Sequence, residues 1–194
     1  MLTIGVLSLQ GAVAEHFLQI ERLGARAIEI KQPEQLTDID GLIIPGGEST
    51  TMRKLMDRYG FIGPLKKFAN ENKPIFGTCA GMVLLAKKLS GSEEAHLGLI
   101  DITVTRNAFG RQRDSFETTL NMHGLVQTIP AVFIRAPIIE EAGEEVEVLA
   151  SHEQSIVAAR QGNVLVCSFH PELTEDTQIL GIFIEMIKDA QKIA

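Results

Sequence analysis

Gly77-Thr78-Cys79-Ala80-Gly81 places a cysteine among small residues, directly after the apolar run Pro74 to Gly77 and before a helical stretch from Ala80 to Lys88. A sharp strand-to-helix turn holds its central side chain exposed, and flanking glycines allow the close backbone approach that bulkier residues would block. The helix N-terminus beside the sulfur favours the thiolate. The Ala80 amide is then placed to donate to a developing oxyanion. Cys79 reads as a nucleophile, against the plainer reading of an inert core thiol, because free cysteine is among the most buried residue types. The other cysteine, Cys167, lacks flanking glycines and takes that plainer reading.

A second segment supplies a base. The apolar run Val164 to Phe169 delivers His170-Pro171-Glu172. Residues two apart in extended chain project to one face, so His170 and Glu172 can address a single site, depending on how the chain bends at Pro171. An imidazole can take a thiol proton and return it to leaving ammonia, and a carboxylate on its second nitrogen fixes tautomer and orientation. The competing reading is a strand-end histidine and a surface glutamate. His16, His96, His123 and His152 stand in helical or turn-like polar contexts and read as surface or locally satisfied residues.

A third segment, Ile44-Pro45-Gly46-Gly47-Glu48-Ser49-Thr50-Thr51, turns from a short strand into a helix. Its glycines can aim amides outward at a helix N-terminus, an anion-binding arrangement in which Gly47 offers a second oxyanion donor. It lacks the Lys-Ser/Thr ending of a phosphate-binding loop. An ordinary tight loop with Ser49 as helix N-cap fits the same residues.

The elements that must carry these segments are legible as alternating short apolar runs and amphipathic stretches. Strands are expected at Leu2 to Leu9, Ala25 to Ile30, Gly41 to Ile44 and Pro74 to Gly77. Helices are expected at Ala12 to Leu23 (with Phe17, Ile20 and Leu23 inward), Ser49 to Tyr59, Pro64 to Asn70 and Ala80 to Lys88. Strands apolar on both faces and joined by helices indicate a parallel sheet covered on each side. From Leu97 onward, Leu99 to Val104, Phe116 to Leu120, Ala131 to Ile134, Val146 to Ala150, Ser155 to Arg160 and Val164 to Phe169 read as strands, several paired as antiparallel hairpins. An amphipathic helix from about Asp176 to Ile193 closes the chain. The expected fold is α/β: three layers, with a mixed, mostly parallel central sheet flanked by helices and an antiparallel portion.

The whole, residues 1–194, reads as one domain with a genuine core. Hydrophobic residues make up 45% and charged residues 22%, which excludes a disordered chain, and the net charge of -7 disfavours a nucleic-acid footprint. No apolar run approaches a membrane span, and no basic N-terminal region precedes an apolar core, so a cytoplasmic location is expected. No Cys/His spacing suggests a metal site.

Taken together, the three segments resemble the class I, triad-type glutamine amidotransferases. Over essentially the whole chain the resemblance is closer to the PdxT/SNO family, the glutaminase subunits of the pyridoxal 5′-phosphate synthases that work without deoxyxylulose phosphate. Further matching stretches are Gly5-Val6-Leu7, Leu9-Gln10-Gly11-Ala12, Arg106-Asn107-Ala108-Phe109-Gly110-Arg111-Gln112 and Phe133-Ile134-Arg135-Ala136-Pro137. Ser8 and Ala108 depart from the pattern, where glycine and serine are expected. The resemblance implies a Cys79-His170-Glu172 triad that hydrolyses L-glutamine to L-glutamate and ammonia. It implies glutamine contacts at Gly47, Glu48, Ser49, Arg106, Ile134 and Arg135, oxyanion donors at the Gly47 and Ala80 amides, and a partner-facing Gln10. The implied partner is a synthase subunit that takes the ammonia into pyridoxal 5′-phosphate. That vitamin is a product of the complex, so no cofactor is expected here. Two other readings remain at this point: a DJ-1/PfpI-like hydrolase with a cysteine elbow, and a non-catalytic regulatory subunit of the same fold.

Overall fold

Apolar residues alternate between two cores along each central strand. Ile4, Val6, Ile43, Phe76 and Leu165 face one core, while Leu7, Leu42, Ile44, Ile75, Val164 and Val166 face the other. Such strands are stable only when both faces of the sheet are covered. The computed structural model describes residues 1–91, 94–109 and 115–193, with β1 (Thr3–Leu7), β2 (Arg26–Ile30), β3 (Gly41–Ile44), β4 (Ile75–Thr78) and β12 (Val164–Cys167) in the order β2-β1-β3-β4-β12, all parallel. Gly110, Arg111 and Gln112, part of the stretch that begins at Arg106, lie outside the described residues.

One face is covered by α2 (Ser49–Arg58), α3 (Ile62–Asn70) and α4 (Ala80–Leu85) through Met52, Met56, Leu65, Phe68 and Leu84. The other is covered by α1 (Val13–Arg22), α5 (Gln178–Ile193) and a separate hairpin of β7 (Ser115–Leu120) and β8 (Ile129–Ile134). Ile20, Phe183, Ile187, Leu120 and Phe133 fill that side. Beyond β12 the sheet continues through β11 (Ser155–Gln161), β9 (Ile138–Ala142) and β6 (Ile100–Thr105) with antiparallel pairing. It ends on β5 (Ala86–Leu89), parallel to β6, while β10 (Glu147–His152) also pairs with β11. The three-layer, mixed and mostly parallel architecture expected from the sequence is the one observed.

Several elements differ from expectation for identifiable reasons. The helix expected to reach Lys88 stops at Leu85, and Ala86–Leu89 becomes β5, with Ala86 and Leu89 buried and both lysines exposed. Pairing with β6 overrides the helical propensity of Ala-Lys-Lys-Leu. Strand β9 was not expected, because its Ile-Ile-Glu-Glu-Ala sequence has no clean alternation. A 3-10 helix at Pro33–Asp38 was also unexpected. Helix α1 turns Ile20 inward as expected, but with His16 and Gln19 beside it in place of Phe17 and Leu23. Phe17 is only half-buried and Leu23 is exposed.

Candidate active site

In an open parallel sheet the carboxyl ends of the strands converge where ligands bind. Four such ends meet here: Gln10 lies beyond β1, Gly46 and Gly47 follow β3, Cys79 follows β4, and His170 lies beyond β12. Cys79 sits at φ 49°, ψ -106°, a left-handed conformation that a side chain rarely adopts. The turn is held by its neighbours. The Cys79 amide donates to the Cys167 carbonyl at 2.8 Å, and the Cys79 carbonyl accepts from the Met82 amide at 3.0 Å. A side-chain carbon at Gly77 would lie 2.7 Å from the Gly81 carbonyl carbon, and one at Gly81 would run into the Ile44 carbonyl oxygen. Ala80 is the first residue of α4, a position whose amide has no intrahelical acceptor, and it lines the cavity.

His170 is anchored by its amide, which donates to the Val132 carbonyl of β8 at 2.8 Å. The chain does not stay extended beyond it: Pro171–Leu173 forms a 3-10 turn, and this bend brings Glu172 Oε1 to 2.7 Å from His170 Nδ1. The Cys79 side chain lies beside the same ring: a side-chain carbon at Gly46 would sit 2.5 Å from His170 Cε1 and 3.5 Å from Cys79 Cβ. Burial alone would lower the His170 pKa. Hydrogen bonds to Cys79 and Glu172, and the charge of both, outweigh it and raise the value to about 10. Burial opposes charge on Glu172 as well, yet its bond to His170 holds the carboxyl below the usual range. Cys79, His170 and Glu172 are 7%, 8% and 5% exposed, so the line of three is nearly dry while the sulfur still reaches a cavity.

That cavity, about 400 Å³, is lined by Cys79 and His170 and by every residue expected to touch glutamine: Gly47, Glu48, Ser49, Arg106, Ile134 and Arg135. Gln10, Ala80, Val83, Asn107 and Pro137 complete the wall. Larger cavities of about 460 and 550 Å³ open near Phe68 and near Asn163, but neither is lined by a cysteine or a histidine. Asn107 (φ 51°) and Arg135 (φ 43°) share the left-handed backbone of Cys79, so three strained residues from distant parts of the chain border one cavity. Among the described residues no group of His, Cys, Asp or Glu side chains is arranged to hold a metal ion.

The loop after β3 behaves differently from expectation in one respect. Glu48, not Ser49, is the N-cap of α2: its carboxylate accepts from the Thr50 amide at 3.0 Å and the Thr51 amide at 2.8 Å. Its bonds to the Thr51 hydroxyl and to these amides lower its pKa to about 2. Ser49 begins the helix instead and lies near Arg106, whose Nη1 donates to Thr50 Oγ1 at 3.2 Å. Gln10 Oε1 accepts from the Glu48 amide at 2.9 Å, so this side chain joins the wall of the cavity. Ser8 adopts an ordinary conformation, its hydroxyl donating to the Val6 carbonyl at 2.9 Å.

His16 is the residue that sequence reasoning misplaced. It is 1% exposed, not superficial, and its Nε2 lies 3.7 Å from Glu172 Oε2 and 3.4 Å from Thr78 Oγ1. Its position four residues before buried Ile20 was the available signal. His152 packs with Phe109, Phe116 and Phe133 away from the triad. Cys167 is fully buried, as read.

Residues 6–189 match the model of the SNO glutamine amidotransferase family. The pyridoxal 5′-phosphate synthase subunit PdxT of Anoxybacillus flavithermus is 62% identical over 192 residues, covering 99% of this chain and 100% of that protein. The subunit of the same name from Bacillus velezensis is 61% identical over 186 residues, covering 96% and 95%. A crystal structure of a glutamine amidotransferase is similar with a TM-score of 0.91 at 46% identity, covering 95% of this chain and 98% of that one. The structure of PurLQS from Thermotoga maritima shares the fold alone, with a TM-score of 0.66 at 17% identity over 97% and 95% of the two chains.

Proposed function

The chain belongs to the SNO glutamine amidotransferase family, and from that premise we propose how its own residues do the work. The enzyme hydrolyses L-glutamine to L-glutamate and ammonia, and the ammonia feeds pyridoxal 5′-phosphate synthesis. This closes the DJ-1/PfpI-like and non-catalytic readings. The observation that carries the residue assignment is that Cys79 and His170 line one cavity and that His170 Nδ1 meets Glu172 Oε1 at 2.7 Å behind it.

In the proposed cycle the Cys79 thiolate attacks the side-chain amide carbon of glutamine, forming a tetrahedral oxyanion. The Gly47 and Ala80 amides hold that charge. His170 carries a proton in the resting site, consistent with its raised pKa, and gives it to the departing ammonia. A glutamyl thioester on Cys79 remains. His170, now neutral, takes a proton from water; the hydroxide attacks the thioester, glutamate leaves, and the sulfur returns to thiolate as the ring returns to imidazolium. Glu172 keeps the ring in the tautomer that presents Nε2 to the sulfur. Arg106 and Arg135 are cations suited to the glutamine α-carboxylate, and the ionised Glu48 suits its α-ammonium. Ser49 and the Ile134 backbone complete the proposed contacts.

The proposed protein partner is the synthase subunit, in a hetero-oligomer through which ammonia passes without entering bulk solvent. The relatives' designation as synthase subunits supports it. Gln10 is proposed to report docking of that partner, because its side chain bonds the Glu48 amide next to oxyanion donor Gly47. Residues 1–194 are proposed to be one amidotransferase domain, supported by the ten-stranded sheet that strands from β1 to β12 join. No helix among the described residues is long and apolar enough to cross a membrane. The two free thiols support a cytoplasmic site of action.

The test is to assay glutamate release and pyridoxal 5′-phosphate formation with the synthase present, for wild type and Cys79→Ala. The variant should lose glutamine-dependent product and keep ammonia-dependent product. Retained glutamine-dependent synthesis in the variant would reject Cys79 as nucleophile.

A further inference from the structure

The triad accounts for one carboxylate oxygen of Glu172 and leaves the other. Oε2 is buried and has no hydrogen-bond partner among the described residues. A buried polar atom left so is costly, and in a native structure it calls for an explanation. The polar group facing it is His16 Nε2, at 3.7 Å, which also lies 3.4 Å from the hydroxyl of Thr78, the residue just before the nucleophile. We infer that His16 is a positioning residue: its neutral, Nε2-protonated ring donates to Glu172 Oε2 and stops the carboxylate from turning, so that Oε1 stays on His170 Nδ1. The inference deepens the triad reading and rests on it.

Three observations converge. First, the terminal torsion of a glutamate is broad, so a single hydrogen bond does not fix the plane of the carboxylate, whereas bonds to both oxygens do. Second, α1 already grips the segment that bears Glu172. Gln19, on the same face as His16, donates from Nε2 to the carbonyls of Pro171 at 2.7 Å, Asp176 at 3.0 Å and Thr174 at 3.1 Å. His16 extends that grip from the backbone to the side chain. Third, His16 is fully enclosed, and burial lowers its pKa; the Glu172 charge, and more weakly that of Glu15, pull it up, the His170 charge acts with burial, and the balance is downward. A neutral ring can donate to Glu172 without competing with His170 for its charge. The 3.7 Å separation is longer than a hydrogen bond, and the proposal requires it to close.

The test uses the full chain with its synthase partner. His16→Met removes the donor at similar volume, and His16→Gln keeps an N–H near the position of Nε2. At saturating glutamine, His16→Met should lower kcat for glutamate release by about tenfold or more with KM little changed, as loss of an orienting outer partner does. His16→Gln should recover most of that loss, and ammonia-dependent synthesis should be unaffected in both. Wild-type kcat in His16→Met, or an equal loss in the two variants, overturns the assignment. Cys79→Ala run in parallel separates the failures: activity there would sink the triad reading, whereas an inactive Cys79→Ala beside a fully active His16→Met sinks only His16. Should His16→Met fail to fold, 15N-histidine NMR of the wild-type chain decides. A neutral Nε2–H ring from pH 6 to 8 is expected, and a neutral Nδ1–H ring or an imidazolium would refute the proposal.

Discussion

Replacing Glu172 by Gln tests the electrostatic core of the site most directly, because it keeps shape and removes charge. Glu172 and His170 are both under one-tenth exposed, and they meet at 2.7 Å. Opposite unit charges about 4 Å apart attract by about 4 kcal/mol at an effective dielectric of about 20, and water does little to screen this pair. With about 1.4 kcal/mol per factor of ten, losing that attraction lowers the affinity of His170 for its proton about a thousandfold, and kcat should fall by up to that factor. The amide also presents an N–H or an oxygen to Nδ1 with no preference for the productive tautomer. The corresponding Asp-to-Asn change in serine-protease triads costs about ten-thousandfold for that reason. The assay is glutamate release with the synthase present, at saturating glutamine, with ammonia-dependent pyridoxal 5′-phosphate formation as the control for folding and docking. A kcat within tenfold of wild type, in a variant that passes the control, would show that Glu172 does not orient or charge-stabilise His170.

Gly81→Ala should destabilise the chain by about 3 kcal/mol or more, because the new methyl meets the Ile44 carbonyl oxygen and neither backbone can yield cheaply; a urea midpoint matching wild type would contradict the close approach. His16 and Glu172 both have folded pKa values below their unfolded ones, so the unfolded chain binds protons first on acidification. Their contribution is intact above the unfolded values, near pH 6.5 for His16, and is lost as pH falls, at up to about 1.4 kcal/mol per pH unit for each group. His170, raised to about 10, acts in the opposite sense and gains stability on acidification until pH falls below about 6.5, so the test is a difference between chains: from pH 7 to 5 the urea midpoint of wild type should fall relative to that of His16→Gln, and a constant difference would contradict the assignment.

How much of this was legible in advance depended on how local the determinants were. The Cys79 turn, the His-Pro-Glu segment and the glycine loop are short-range patterns, and each stands at a strand end where it was expected. Strand β3 runs Gly41–Ile44 as read, because four apolar residues between Asp40 and Pro45 have little other choice. That Cys79 and His170 meet was not legible. It follows from β4 and β12 pairing in parallel with Thr78 opposite Cys167, and nothing local distinguishes one buried four-residue strand as the partner of another. His16 was hidden by the same limitation. A polar residue on a helix is assigned outward by default, and the groups that His16 meets inside, Thr78 at 3.4 Å and Glu172 at 3.7 Å, come from far along the chain. The reversal at Ser49 has a smaller cause: Glu48 reaches two amides from one position earlier and takes the capping role.

The distribution of backbone strain around the cavity follows from what each wall must do. Cys79, Asn107 and Arg135 all hold positive φ, a state that costs about 1–3 kcal/mol per residue and survives only where neighbours over-determine it. Cys79 is braced by β12 through the Cys167 carbonyl. The turns at Asn107 and Arg135 brace one another, since the Ala108 amide donates to the Ala136 carbonyl at 3.1 Å. These two turns carry Arg106 and Arg135, the proposed contacts to the substrate carboxylate, and a backbone fixed before binding lowers the cost of orienting them. The opposite wall is built otherwise. Gly46 lies so near the His170 ring that a side-chain carbon there would sit 2.5 Å from Cε1, and at Gly47 the same carbon would strike the Gln10 amide oxygen. In the proposed cycle that wall lets an oxyanion approach main-chain amides directly, which residues with no side chain allow. Strain sits where groups must be held still, and glycine sits where the backbone itself is the reagent.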